Sequence, residues 1–430
     1  MRHDFHIVIV GGGMVGACAA ALAAADPRLA ELRIAVLEAH PPASPPQGDM
    51  DLRVSAVSRA SQRILTAIGA WHLVPTQSLS PYEDMIVWDA AGKPRGTGAI
   101  HFSASATSEP NLGHIVENRR LQWALYDCPP FRQRITLLRA ELAGLTFERD
   151  RAVVSLGDGR VLSTALVVGS DGAASLSRKL AGIETAGWNY DQRAFVTHVR
   201  TEHPHARTAW QRFLTNGPIA FLPLADGRSS IVWTTLPDHA EHLASCPPEE
   251  ASREIEQALD GVLGKVEIAA ARVHFPLRLT HARQYCRDRF ALVGDAAHSI
   301  HPLAGQGVNL GFLDCAALVQ VLAQEVEAGG NVESLAELRV LRRYERWRKS
   351  ENLIALGMVD GLNRLFSNPN GTLGWIRRTG LSAVDSSALA KRFFMGRAMG
   401  TSGELPAVAQ ESRLLVWAWR PLSNAACALE

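Results

Sequence analysis

The chain is predicted to be an α/β protein with a parallel-sheet domain assembled from discontinuous segments, an inserted β-rich domain and a helical C-terminal region. Three observations predict this. A strand, a glycine turn, a helix and a second strand follow one another between Ile7 and Glu38. Buried-strand signals recur near Val167 and near Val293, with unlike material between them. The stretch from about Trp188 to Phe275 is rich in strand-like segments, and beyond about Glu333 the pattern turns helical.

Each element has a local reason. Ile7–Val10 is a short run rich in β-branched residues, as a strand buried on both faces requires. An Ala-rich helix is expected from about Val15 to Ala25, stopped by Asp26-Pro27. Ile34–Leu37 is the next apolar strand and ends at Glu38. His40–Asp51 is polar and Pro-rich, hence a loop. Ser58–Trp71 has apolar residues at helical spacing and a serine cap. The Gly-Asp-Gly at 157–159 marks a hairpin leading into a strand over Ala165–Val168. Phe290–His298 reads as another buried strand ending in a loop.

Composition bounds the function. The chain has 430 residues, 47% hydrophobic and 20% charged, as a soluble globular enzyme has. Its 44 basic and 43 acidic residues leave a net charge of +1, which speaks against nucleic acid as a partner. Cys18, Cys128, Cys246, Cys286, Cys315 and Cys427 form no Cys-x-x-Cys pair, so no metal site is expected, and scattered thiols fit a reducing cytosol. The uncharged stretch from Ile7 to Ala25 also resembles a signal peptide. Its three consecutive glycines and its Ala-rich rather than Leu-rich character favour the strand–turn–helix reading.

The first chemical motif is Gly11-x-Gly13-x-x-Gly16, between a strand and a helix. In a Rossmann-like turn the first glycine permits the bend, the second admits a pyrophosphate, and the third lets helix and strand touch. Glu38 follows Gly16 by about twenty residues at the end of the second strand, where a carboxylate accepts hydrogen bonds from a ribose diol. The second motif holds Asp171, Gly172, Ser175 and Arg178. The third runs from Gly294 to Asp314 and includes Asp295, which sits where a buried strand ends and so can face the crevice. Small residues from Pro302 to Asn309 precede a helix whose free N–H groups could stabilise negative charge on a ring system, or could simply form a capped turn.

Four stretches, GGGMVG from Gly11, DLRVSAVS from Asp51, SDGAASLSR from Ser170 and GDAAHSIHPLAGQGVNLG from Gly294, occur in the order found in class A flavin monooxygenases of the para-hydroxybenzoate hydroxylase type. The chain most resembles their ubiquinone-biosynthesis branch. The segments YEDMIVWD, LGHIVENRRLQWAL, IAFLPLADGRSSIVW, FPLRLTHARQY and LRRYERWRKS support that branch, and the similarity spans roughly Phe5 to Leu405. The final LLVWAWRPLSNAACALE matches no part of the family pattern.

The resemblance implies FAD as cofactor, NADPH or NADH as reductant and O2 as oxidant. It implies insertion of one oxygen atom into a polyprenylated phenol or benzoquinol, with 2-polyprenylphenol as the substrate. A later hydroxylation of the same pathway, or a flavin reductase or dehydrogenase without oxygen insertion, are the alternatives. There is no second Gly-x-Gly-x-x-Gly after a strand, as a separate NAD(P)H domain would have. By resemblance, Gly11, Gly13, Gly16 and Glu38 hold the ADP half of FAD, Arg53 lies along its flavin side, and Asp295 contacts the ribityl–pyrophosphate stretch. Gly305, Gln306, Gly307 and Asn309 face the isoalloxazine. Asp171, Gly172 and Arg178 match an Asp-Gly motif associated with FAD and NADPH. Ser170 and Ala174 depart from it, where the family usually has Ala and Asn.

The resemblance divides the chain into an FAD-binding domain (1–78, 105–182 and 284–352), a substrate domain (79–104 and 183–283) and a helical region (353–430). It implies a cytoplasmic protein, with peripheral contact at the inner face of the membrane and association with other ubiquinone-biosynthesis proteins as further expectations. No catalytic residue is assigned. His298 and His301 read as hydrogen-bonded packing residues rather than catalysts. Arg339, Arg342, Arg343, Arg346 and Lys349 read as a solvated helix face, against contact with anionic lipid or NADPH phosphates. Leu353, Leu356, Val359, Leu362 and Phe366 read as a core stripe rather than a membrane-lying face.

Overall fold

A computed structural model describes residues 3–299, 307–366 and 371–411. The chain begins with strand β1 (Phe5–Val10), helix α1 (Met14–Ala25) and β2 (Ile34–Leu37). Nine of the twelve α1 residues are buried, and most are alanine. Small side chains let neighbours come close, which is where the apolar character of this segment is used. β3 (Val54–Ser58) and α2 (Arg59–Ala67) follow, with Ser58 Oγ accepting the Ser61 N–H as the expected cap.

Next come β4 (Leu79–Tyr82), β5 (Asp84–Asp89), β6 (Ala99–Ser103) and β7 (Gly113–Glu117). They lead into α3 (Asn118–Asp127), α4 (Pro129–Arg134) and β8 (Ile135–Leu138). β9 (Leu142–Phe147), β10 (Ala152–Leu156) and β11 (Val161–Gly169) form antiparallel hairpins, and α5 (Leu176–Leu180) follows. The middle of the chain supplies β12 (Thr185–Thr201), β13 (Thr208–Leu214), β14 (Gly217–Pro223) and β15 (Ser229–Thr235). Then come α6 (Pro237–Ser245), α7 (Pro248–Ala258), β16 (Val266–Ile268) and β17 (Val273–Ala282).

β18 (Cys286–Arg287), β19 (Phe290–Leu292) and β20 (His298–Ser299) precede α8 (Gly307–Glu327). The chain ends in α9 (Val332–Leu335), α10 (Leu338–Phe366), α11 (Gly371–Ser386) and α12 (Ala388–Ala398).

The first sheet has the order β18-β19-β11-β1-β2-β8, and β19, β11, β1, β2 and β8 run parallel. β1 lies at its centre, flanked by β2 from the same βαβ unit and by β11 from more than a hundred residues later. That is a topological switch point, and the crevice outside the strand ends is where such sheets bind ligands. α1 and α8 pack against each other so closely that a Cβ on Gly311 would lie 2.7 Å from Val15 Cγ2. By length and composition α8 could cross a membrane, but 72% of its most apolar stretch is buried inside the protein.

The second sheet has nine strands in the order β20-β17-β12-β15-β14-β13-β5-β6, with β16 alongside β12. One face packs on α6 and α7 through Phe195, Phe221, Ile231, Leu243 and Ile255. A small sheet, β3-β7-β4, joins the two. The C-terminal helices cover the outer edge of the second sheet. Leu381 of α11 packs on Val87 and Ile100, and Asp385 Oδ1 accepts the His101 N–H at 3.0 Å.

The discontinuous assembly is as expected, with one difference. The sequence reading divides the chain at residue 353, whereas α10 runs unbroken from Leu338 to Phe366, with no proline to interrupt it and with Gly357 and Gly361 accommodated inside it. In the expected stripe Leu356 is buried and Leu353 is 48% exposed, while the side chains of Val359, Leu362 and Phe366 lie outside the described residues. Arg339 pairs with Glu325 and Glu337, and Arg343 with Glu325, on the outer side of α10. Cys18, Cys128, Cys246, Cys286 and Cys315 are free and buried, and Cys427 lies outside the described residues.

Three histidines are folded in neutral. Burial pushes His114, His198 and His281 down to about 4, helped by Arg59, by Arg228 and by His298 with Lys349, respectively. In the unfolded chain each titrates near the ordinary 6.5. Folding therefore loses stability as pH falls from about 6.5 toward 4, because the unfolded state takes up protons that the native state refuses. Each histidine contributes a slope of up to about 1.4 kcal/mol per pH unit. Urea unfolding between pH 7.5 and 5 is expected to show the decline, with a shallower slope for His114→Phe. A flat profile would contradict this account.

Candidate active site

The glycine turn shows why each glycine is needed. Gly11 has φ +96°, a left-handed conformation that disfavours a side chain. A Cβ on Gly16 would lie 1.9 Å from the Gly11 carbonyl oxygen, so only glycine lets α1 sit this close to the turn. A Cβ on Gly13 would meet nothing within 4 Å; that position opens onto the crevice. Gly13 is also the N-cap of α1 and makes no side-chain cap, and the first turn carries no acid. The unsatisfied N–H groups and the positive end of the helix dipole are left for an anion.

The turn is held from three sides. Glu38 at the end of β2 accepts the Gly12 N–H through Oε2 at 2.7 Å and the His40 N–H through Oε1 at 2.9 Å. Each oxygen retains a lone pair for a ribose diol. Ser170 Oγ lies 2.8 Å from both the Val10 and Gly11 carbonyl oxygens. The serine that departs from the family pattern thus pins the glycine turn to the end of β11. From α3, Gln122 Nε2 and Tyr126 Oη donate to the Gly12 carbonyl at 3.1 and 2.8 Å. Neither residue is among those the sequence reading picks out. Their legible trace is the spacing of Asn118, Gln122 and Tyr126 at i, i+4 and i+8, one face of a helix.

A cavity of about 1210 Å³ opens from this turn. Gly13, Arg53, Gly172, Asp295, Gly307 and Asn309 all line it. Gly11, Gly16 and Glu38 are not among the lining residues; the two glycines set the turn that presents Gly13. Asp171 has another use: its carboxylate accepts from Ser175 Oγ, Ser177 Oγ and the Ser177 N–H, so it caps α5 and shapes the bend at Gly172 rather than facing the cavity. Arg178 donates to the Ala296 and Ala173 carbonyls and ties that bend to the loop carrying Asp295. Asn309 donates to Ala56 O at 2.8 Å and accepts from Ser58 N at 2.9 Å, joining the start of α8 to β3. Gly305, Gln306, His301 and Pro302 lie outside the described residues.

Asp295 is reached from the cavity, yet protein crowds it. That desolvation, with Asp314 nearby, raises its pKa above the usual carboxylate value, and His298 opposes the rise. Its loop is braced from behind by a buried network around Asp314. This carboxylate accepts from His298 Nε2 at 2.6 Å, the Gly294 N–H at 3.1 Å, Arg348 Nε at 2.9 Å and Asn352 Nδ2 at 3.0 Å. Burial alone would raise the pKa of Asp314, but His298 and Arg348 outweigh it and hold the pKa below the usual value. His298 is thus bound into packing, as expected. Arg348 escapes the sequence reading, although Tyr344, Arg348 and Asn352 fall at i, i+4 and i+8 on the buried face of α10.

These residues fit FAD. An uncapped helix N-terminus with an open glycine suits the pyrophosphate, Glu38 the adenosine ribose, and Asp295, Ser299, Gly307 and Asn309 the ribityl–flavin half. Gly16→Ala is expected to force the turn and α1 apart and to give protein purified with little FAD, read from its flavin absorbance. Asp295→Ala is expected to lose FAD and activity together. Full flavin occupancy with normal turnover in Asp295→Ala would remove Asp295 from the site.

Comparisons with known proteins agree with this geometry. Residues 141–349 match the FAD binding domain family. The chain is 37% identical to 3-demethoxyubiquinol 3-hydroxylase of Escherichia coli (strain K12), over 92% of this chain and 98% of that protein. It is 33% identical to the mitochondrial ubiquinone biosynthesis monooxygenase COQ6 of Danio rerio, over 89% and 87% of the two chains. The fold is shared with p-nitrophenol 4-monooxygenase PnpA from Pseudomonas putida DLL-E4, at TM-score 0.73 and 17% identity over 93% of this chain and 99% of that one. With its glycine turn, its strand-end crevice and these full-length relatives, the chain belongs to the FAD-dependent monooxygenase family that contains the ubiquinone-biosynthesis hydroxylases.

Proposed function

We propose that this monooxygenase hydroxylates the ring of a polyprenylated phenol or benzoquinol in ubiquinone biosynthesis. NADPH or NADH supplies two electrons; one oxygen atom of O2 enters the ring and the other leaves as water. The observation that carries the reading is the two unlike walls of one cavity. Strand ends and the α8 N-terminus form the first wall, and a largely apolar sheet face with Val196, Ala220, Leu222 and Val232 forms the second. Single ligand sites usually span about 300–1,000 Å³, so a cavity of about 1210 Å³ suits a cofactor and a ring together.

FAD, when bound and reduced, supplies the activation of O2. The chain's own residues bind, orient and keep the site dry. The first turn of α1 binds the diphosphate. The backbone from Gly307 to Asn309 offers the positive end of α8 to the cavity. The apolar sheet face holds an aromatic ring and excludes water. Tyr82 lines the same space; burial raises it to about 12, so it stays a neutral phenol.

The sequence motifs point to 2-polyprenylphenol as the substrate. The similarity to the Escherichia coli hydroxylase supports a second reading, a later ring hydroxylation. Mass spectrometry of prenylated lipids in cells lacking the protein separates them. Accumulated 2-polyprenylphenol is expected on the first reading, and an accumulated later quinol on the second. An unchanged quinone pool, with no label from 18O2 entering any prenylated phenol in vitro, would overturn both.

We further propose that the protein works in the cytoplasm, against the inner face of the membrane, where it would meet prenylated lipids and the other enzymes of the pathway. Support comes from exposed Leu353 and Ile354 on α10 and Leu389 and Phe393 on α12, the last two beside Lys391 and Arg392. The protein is expected to float with anionic liposomes. No binding by the full chain would count against it.

A further inference from the structure

The second wall of the cavity is one face of the nine-stranded sheet, and alternation along each strand decides what it shows. On β15, Ile231 and Trp233 point into the core with α6 and α7, while Ser230 and Val232 line the cavity. The same rule brings Gln211 of β13 and Ala220 and Leu222 of β14 to the cavity side. The registers fix their neighbours. Ala220 lies directly between Gln211 and Val232, and Leu222 lies beside Ser230. With only a methyl group at Ala220, the face has a shallow floor there, bordered by larger side chains.

Most of this face is apolar, yet it also presents polar side chains to the cavity. Gln211 is 5% exposed, and its amide makes no side-chain hydrogen bond among the described residues. Ser230 is fully buried and its Oγ has no partner. Its register neighbour His198 is also fully buried. Leaving a buried hydroxyl such as that of Ser230 unpaired costs about 1–3 kcal/mol, whereas Gln211 opens on the cavity. A ligand in the cavity can supply partners to the polar side chains of this wall.

We propose that Gln211 and Ser230 form the subsite for oxygen substituents of an aromatic ring lying over Ala220, with the Gln211 amide binding a free ring hydroxyl and thereby choosing which carbon is oxidised. This deepens the function proposed above and rests on it. The amide both accepts and donates, so it takes the hydroxyl proton through its carbonyl and offers an N–H to the same or a neighbouring oxygen. Gln211 and Ser230 stand two strands apart and two residues along, about 12 Å on the diagonal. A ring with oxygens on two sides bridges that span once the Gln211 chain reaches over Ala220. A methyl ether cannot give the hydroxyl proton, so the subsite discriminates phenols from their ethers.

The test uses FAD-loaded full-length protein, 2-geranylphenol and the methyl ether of that phenol. Binding is read from the perturbation of flavin absorbance, and turnover from product isomers and from product formed per NADPH consumed. Wild type is expected to bind the phenol more tightly than the ether. Gln211→Leu keeps the volume and removes both hydrogen-bonding atoms. It is expected to retain FAD, to weaken phenol binding about tenfold, to lose the preference over the ether, and to change the isomer ratio or the coupling. Ser230→Ala is expected to leave 2-geranylphenol, whose one oxygen Gln211 holds, bound as in wild type, and to weaken binding of 2-geranylhydroquinone, which has a second oxygen opposite, about threefold.

A Gln211→Leu enzyme with wild-type affinity, preference and isomer ratio overturns the subsite. Should that variant fail to fold, Ala220→Leu fills the floor from the next strand, and unchanged phenol binding there overturns it equally. The function can fail separately. If wild type binds the phenol through Gln211 but hydroxylates no prenylated phenol, the reaction is wrong and the subsite stands. If wild type binds no phenol at all, both fall.

Discussion

The contact on which this molecule depends is the approach of α1 to the glycine turn after β1. The distance leaves no room for even one methyl group at Gly16. Because the helix starts there, its uncapped first turn faces the crevice at the centre of the parallel sheet. The rest of the first wall is arranged around that point. Glu38 and Ser170 bind the turn from the ends of β2 and β11, and Gln122 and Tyr126 close it from α3. A shift of the turn would move all four.

The opposite side of the site is stabilised by a charge rather than by a close contact. Asp314 is completely buried, and an isolated carboxylate there would be very costly. Four donors from the end of β19, the following loop and α10 converge on it. Removing one partner would leave charge uncompensated, so the network resists piecemeal change. Its effect is positional: it sets the loop that offers Asp295 to the cavity, while the carboxylate itself stays out of reach of any ligand. Arg178 performs a related task from the other direction, linking the bend at Gly172 to the same loop.

The two walls differ because their chemistry must. Diphosphate and ribose need N–H groups, a helix end and carboxylates, and these occur at strand ends, where backbone groups leave the ladder. An aromatic ring needs a dry surface, and a sheet face lined by Val196, Val232 and Leu222 provides one. The C-terminal helices reinforce this sheet at its outer edge, where α11 covers β6 and buries Leu381. An edge strand left bare would present unpaired backbone groups.

The sequence by itself determined the local architecture and the first wall. Strand, turn and helix signals act over a few residues; Gly11 and Gly16 are legible because backbone geometry admits no other residue there, and Gly13 because it leaves the turn open to the crevice. The serine cap of α2, the hairpin before β11 and the buried strand before Asp295 were legible for the same reason. What only the tertiary structure decided was which distant groups meet. Asp171, read with the site, turns its carboxylate to Ser175 and Ser177, since a cap forms wherever serines lie within reach. Gln122, Tyr126 and Arg348 bear on the site through the packing of α3 and α10, and no local pattern states the partner. Gln211 lies in no motif, and Ser230 lies in a family segment that says nothing of which face it shows. Strand register alone places them on the cavity face, and register follows from pairings between residues far apart in the chain.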